Sequence, residues 1–245
     1  MKEIYNKFKK HIVNKEFLYK DAHYLSTDVE INPKVASEWL PLGLNLQKPA
    51  RATIFTAWFP DNPFNQPYTE AGLFLHVKYF GVNAIFCPWM LVSQSSPLVA
   101  GREVLGYPKK LADISFNKSN NSIKSSATRN GFNILNLNAT LGPEILPSPF
   151  LGRRNLNITG NVTLPLPRLI TFKPKEEIIS VNEVDVELDI FSESSSDYLS
   201  ELITTTNSKG MLHRVNIGMD LRSVPVPIIP TPPTYILKHY ALRNH

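Results

Sequence analysis

The sequence predicts a mainly β protein: a closed antiparallel barrel or sandwich with a few short helices. Three observations lead there. From Ala50 onward, runs rich in β-branched and aromatic residues recur at strand length. Turn residues punctuate them, with 20 prolines and 11 glycines in 245 residues. Few segments show helical spacing, and many strands with few helices suit a barrel or sandwich.

Residues 1 to about 20 set Ile4, Phe8, Ile12 and Phe17 among lysines and glutamates. That spacing predicts an amphipathic helix packed on the body or on another subunit. Strands are expected over Arg51–Phe59, Tyr68–Phe80 and Asn83–Val92, with Asp61–Pro67 a loop and Gly81-Val-Asn83 a tight hairpin turn. Ser96 then reads as an N-cap with Pro97 at the first helical position, and Gly106 and Pro108 end the helix near Leu105. Shorter strands follow over Asp113–Asn117, Ser122–Thr128, Phe132–Thr140, Val162–Phe172, Val181–Phe191 and Met219–Val226. Ser192–Thr205 reads as a helix, and residues 225–233, with five prolines, as an irregular connector. No internal repeat, low-complexity linker or boundary divides the chain, so residues 1–245 are read as one domain.

Composition excludes several classes. A hydrophobic share of 42% with 19% charged residues supports a packed core and argues against disorder. The net charge of +5 is dispersed, densest at Lys7, Lys9, Lys10 and His11, and a nucleic-acid partner would require a concentrated basic face. One cysteine, Cys87, allows no internal disulfide and reads as a small core residue. The six histidines lack metal-ligand spacing, so no metal or other cofactor is expected. The first residues carry no apolar h-region, and Glu3 and Glu16 weigh against a mitochondrial presequence. The sequons at Asn138, Asn157 and Asn161 then read as chance matches. No apolar run approaches the ~20 residues that span a bilayer. A soluble, cytoplasmic protein without a membrane partner is expected.

The segment Gly101-Arg-Glu-Val-Leu-Gly-Tyr-Pro-Lys-Lys-Leu111 carries the chemistry. An ordinary lysine titrates near ~10.4 and is an ammonium at neutral pH. Burial or a nearby cation frees the lone pair, and the amine can then form a Schiff base with a carbonyl. Two ammonium groups ~6 Å apart at an effective dielectric of ~20 repel by roughly 3 kcal/mol, about two pH units. Successive side chains of an extended segment point to opposite faces, which weakens that repulsion, whereas desolvation can supply about 3–5 units. Burial of Lys109 is therefore expected to dominate, with Lys110 on another face and largely structural.

Gly-Arg-Glu followed by Gly-Tyr-Pro-Lys-Lys-Leu resembles the active-site segment of the acetoacetate decarboxylase family. The resemblance implies a cone-like β fold, a homo-oligomer and a small keto-acid substrate. It makes Lys109 the Schiff-base lysine and Lys110 the adjacent cation. Tyr68-Thr-Glu70 resembles the family's Tyr-Thr-Glu, which makes Glu70 the active-site carboxylate that orients substrate or handles protons. Arg102, Trp89 and Met90 fall on matching segments, Arg102 as a substrate-binding candidate beside a structural role with Glu103, Trp89 and Met90 as pocket lining.

The chain departs from the family in two places. The family carries an N-terminal arginine that meets the substrate carboxylate, and here no arginine precedes Arg51. His23 or Lys20, in Tyr19-Lys-Asp-Ala-His-Tyr24, stands nearest, and neither offers an arginine's bidentate fork. The family's strand glutamate is also absent from Arg51–Trp58. Three functions follow. The first is a β-keto-acid decarboxylase, acetoacetate to acetone and CO2, working through a lysine imine. The second is an aldolase-dehydratase using the same lysine on a keto acid and an aldehyde. The third is a barrel that binds a small apolar ligand without chemistry.

Overall fold

The computed structural model describes residues 17–160, 167–192, 197–218 and 225–231. Its centre is an antiparallel run of β1 (Phe17–Ile31), β3 (Arg51–Phe59), β4 (Tyr68–Tyr79) and β5 (Val82–Val92). On one side β1 continues through β14 (Lys209–Gly218), β12 (Lys175–Ile190), β9 (Phe132–Glu144) and β8 (Ser122–Arg129) to β7 (Asp113–Lys118). On the other, β5 continues through β10 (Asn155–Thr159) and β11 (Arg168–Phe172) to β15 (Val226–Pro230). Short strands β2 (Leu44–Leu46), β6 (Lys109–Leu111) and β13 (Ile203–Thr206) pair with β4, β5 and β1. Helices are few: α1 (Pro33–Trp39), α2 (Ser95–Leu105) and α3 (Leu199–Leu202).

Strands β3 to β5 are buried on both faces, which is why they read as near-continuous apolar runs. One face packs Leu25, Ile54, Leu73, Phe86, Trp89 and Leu91 into a largely aliphatic core. The opposite face packs Tyr24, Phe55, Phe59, Tyr68, Phe74 and Met90 into an aromatic one.

The mainly β prediction holds, but among the described residues the hydrogen-bonded ladder does not close. Its order runs from β15 at one end to β7 at the other. β7 curls back against β3 to β5, where Thr69 Oγ1 donates to the Ile114 carbonyl at 2.9 Å, without forming a ladder there. Nor is the sheet wholly antiparallel, since β6 and β10 both run parallel to β5. The 225–233 connector contains β15, whose Pro227 and Pro230 suit an edge that needs no inward N–H.

Other differences are local. Phe17 opens β1 rather than ending a helix, and residues 1–16 of the expected helix lie outside the described residues. Among the described residues of Ser192–Thr205, Leu199–Leu202 is helical and the β-branched run Ile203–Thr206 pairs with β1 instead, while residues 193–196 lie outside the described residues. Parts of the expected strands at 162–172 and 219–226 also lie outside the described residues. The β4–β5 turn centres on Phe80 and Gly81, both at positive φ (46° and 81°), as a two-residue primed turn requires. The helix expected from Pro97 to Leu105 starts two residues earlier than read, at Ser95 with Gln94 at the N-cap.

Gly106 ends α2 in the left-handed conformation, φ 66°. A Cβ there would also stand 2.5 Å from the Ile158 carbonyl oxygen. Gly106→Ala is therefore expected to lower unfolding free energy by roughly 2–3 kcal/mol, combining backbone strain with a clash against main chain. Urea unfolding followed by tryptophan fluorescence measures it.

Candidate active site

The turn after α2 delivers the two lysines. The Gly106 amide donates to the Arg102 carbonyl at 3.2 Å and the Tyr107 amide to the Gly101 carbonyl at 3.1 Å, which closes the helix. The chain then enters β6, only three residues long, in parallel register with β5: Met90 opposite Lys109, Leu91 opposite Lys110, Val92 opposite Leu111. A parallel pair needs a crossover, and α2 supplies it. Strand alternation sends Lys109 to the aromatic face with Met90 and Lys110 to the aliphatic face with Leu91. Both are buried, at 6% and 3% exposure.

On the aromatic face the Lys109 Nζ donates to Glu70 Oε1. Glu70 reaches this place because its row in the sheet, Tyr24–Ala57–Glu70–Val92, faces the same way. The Tyr68 and Tyr107 ring centroids lie 6.0 and 5.9 Å from Nζ. Together with Tyr24, Phe55, Phe74 and Met90 they bound an inner cavity of about 90 Å³. Burial pushes the Tyr24, Tyr68 and Tyr107 phenols well above their ordinary range, with Glu70 adding to it, so they stay neutral. The Glu176 carboxylate accepts the Phe150, Leu151 and Gly152 amides at 2.8–3.3 Å and pins the loop whose Leu151 closes the cavity wall. Gly101 makes room for the Lys109 side chain. A Cβ there would stand 2.6 Å from Lys109 Cε and 2.7 Å from Cδ.

On the aliphatic face Lys110 Nζ lies 3.4 Å from Asp197 Oδ1. The same carboxylate receives Trp89 Nε1 at 2.6 Å and Arg129 Nη1 at 3.2 Å. Burial lowers the Lys110 ammonium to about 8, against the opposing pull of Asp197.

The structure thus brings Lys109, Glu70 and Met90 together and separates the other expected site residues from them. Trp89 stands with Lys110 on the far face. Arg102 is half-buried on α2, lines neither cavity beside Lys109, and has its charge felt by Lys110. His23 fails for a reason of parity: its row runs His23–Trp58–Thr69, opposite in sense to the row through Tyr24 and Glu70. It packs edge-on to Trp58 at 5.3 Å with Nε2 3.3 Å from Asp21. Lys20, bridged through its backbone to Asp61, is exposed. Among the described residues, Lys109 and Glu70 are the only charged side chains lining the inner cavity. Sequence reading missed Tyr24, Gly101 and Asp197. Strand parity from Tyr24 to Glu70 was a usable signal for the first, whereas Asp197, 87 residues from Lys110, had none.

On this curled β-sheet the site is a buried amine held by a carboxylate inside an aromatic cavity. The acetoacetate decarboxylase family model matches residues 5–202, and the chain belongs to that family. It is similar to acetoacetate decarboxylase 2 of Mesorhizobium japonicum, 29% identical over 96 residues, covering 39% of this chain and 36% of that protein. The match thus spans little more than a third of that relative's length. Its fold is similar to the crystal structure of acetoacetate decarboxylase from Legionella pneumophila, with a TM-score of 0.75 at 14% identity over 86% of each chain. It is also similar to the enduracididine biosynthesis enzyme MppR complexed with the condensation product of pyruvate and imidazole 4-carboxaldehyde, with a TM-score of 0.67 at 16% identity over 82% of this chain and 87% of that one. Among the described residues no helix is long and apolar enough to cross a membrane.

Two outcomes follow from these surroundings. Gly101→Ala is expected to keep or slightly raise stability, since alanine is the better helix former by ~0.5–1 kcal/mol. It should nevertheless displace the Lys109 stem and cut imine trapping at least about tenfold, a split read by thermal melts beside borohydride labelling. Lys110 supplies the second. Its folded value of about 8 lies below the ordinary 10.5, so between those pH values the unfolded chain holds more protons and stability rises with pH. From about pH 7.5 to about pH 9.5 the wild type should gain roughly 2 kcal/mol relative to Lys110→Met, by urea midpoints.

Proposed function

We propose that this chain is a Schiff-base-forming lyase that decarboxylates a β-keto acid, with acetoacetate as the simplest case. The observation that carries the proposal is the Lys109–Glu70 contact inside a cavity otherwise lined by aromatic and aliphatic groups. In this reading Glu70 takes a proton from the Lys109 ammonium, the freed amine adds to the ketone, and the proton returned by Glu70 carries water away, giving a protonated imine paired with the Glu70 carboxylate. The C–C bond to the carboxylate then breaks, CO2 departs, and the bonding electrons enter the imine to give an enamine. A proton delivered through Glu70 returns to carbon, and water hydrolyses the resulting imine to ketone and free lysine.

The lack of a second cation among the described lining residues supports this outcome. The substrate carboxylate holds a localised charge that becomes dispersed as CO2 forms. A cation clamped on it would stabilise the starting state more than the transition state, whereas an apolar cavity does the reverse.

Incubation with acetoacetate or pyruvate, borohydride reduction and peptide mass spectrometry test the reading. An adduct on Lys109 and acetone release, both lost in Lys109→Ala, are the expected results. Glu70→Gln should retain the adduct while turnover falls by about 10²–10⁴. An adduct without acetone would point instead to aldehyde condensation through the same enamine. Absence of any adduct would leave a ligand-binding sheet without chemistry.

A further inference from the structure

Lys109 does not end in one cavity. It lines two that adjoin, the inner one described above and an outer one of about 100 Å³ beside α2. The outer wall is built from Leu18, Pro97, Ala100 and Val104, and Phe172 and Ile217 are shared with the inner cavity. Among the described residues the only charged group there is Lys109 itself. The adjoining surface is also apolar: Val104 and Val99 on α2 are 52% and 55% exposed.

A carbonyl carbon bonded to Lys109 carries two substituents, and the two cavities receive them in different directions. The inner cavity offers Glu70 and neutral phenols. Besides Lys109 itself, the outer one offers a polar substituent only the Tyr19 phenol among its described lining side chains, and the rest of its wall is apolar. A methyl group would leave most of that apolar wall facing water, whereas an alkyl chain would cover it.

Resting on the imine reading above, we infer that the substrate is a β-keto acid whose ketone bears an unbranched alkyl chain of several carbons, and that the chain lies in the outer cavity along α2. Ala100 and Val104 then set chain-length preference.

The test uses the full chain and the homologous 3-oxo acids from 3-oxobutanoate to 3-oxodecanoate. The specificity constant is expected to rise about fourfold for each of the first three or four added methylenes, the ratio that one buried CH2 supplies. Ala100→Phe should collapse that slope by filling the outer cavity. A flat or falling series, with acetoacetate itself turned over, would overturn the inference and leave the lysine chemistry standing. Binding without chemistry separates the two failures. In Lys109→Ala, 2-alkanones of increasing length should raise the melting temperature progressively. That trend without any adduct in the wild type would support the tail site and refute the imine reading. No length dependence in either measurement would refute the tail site.

Discussion

Strand β6 is three residues long and pairs in parallel with β5, and that register decides where two cations go. Adjacent in sequence, Lys109 and Lys110 end on opposite faces of one sheet, each against its own carboxylate. Burying an ammonium is costly unless it is paired and hydrogen-bonded. The chain meets that cost twice, with Glu70 from a neighbouring strand and with Asp197 from a distant segment. The two lysines are thus separate problems solved by separate parts of the fold. The Lys110–Asp197–Arg129–Trp89 network holds β6 from behind, and the strand so held presents Lys109 to the cavity.

This arrangement makes the aromatic face the enclosure of an ion pair as well as a second core. Its rings, the neutral phenols and the loop pinned by Glu176 surround one amine and one carboxylate. The aliphatic face holds the stability-bearing apolar bulk together with the ion network around Asp197. A sheet buried on both sides permits that division of labour, because alternate residues of β3, β4 and β5 belong to different environments.

What the sequence made legible was local. The helix stop at Gly106, the strands β3 to β5 and the nucleophile segment follow from short-range rules, and Glu70 was reached by resemblance along one of those strands. What remained hidden was set by distant pairing. Phe17 read as helical because its spacing fitted, yet β1 is stabilised by β14, about 195 residues away, as the Asp21–Asn216 hydrogen bond illustrates. Proline-rich β15 looked irregular because only its place at a sheet edge makes prolines acceptable. His23 has suitable chemistry, but it lies on the opposite side of β1 from Tyr24, whose row leads to Glu70. Many strands with few helices suit a closed barrel, but strand number does not dictate whether the last ladder forms.

Gly101 and Lys109 occupy one volume between them. A lineage that keeps the lysine is bound to keep the glycine, even though alanine would suit the helix better. Once the lysine is lost the space falls vacant, and selection on helix stability is released to fill it. In a set of descendants of this chain, replacement of Gly101 should therefore trail the loss of Lys109 rather than precede it. A glycine without backbone need at that position is thus a record of the space that Lys109 takes.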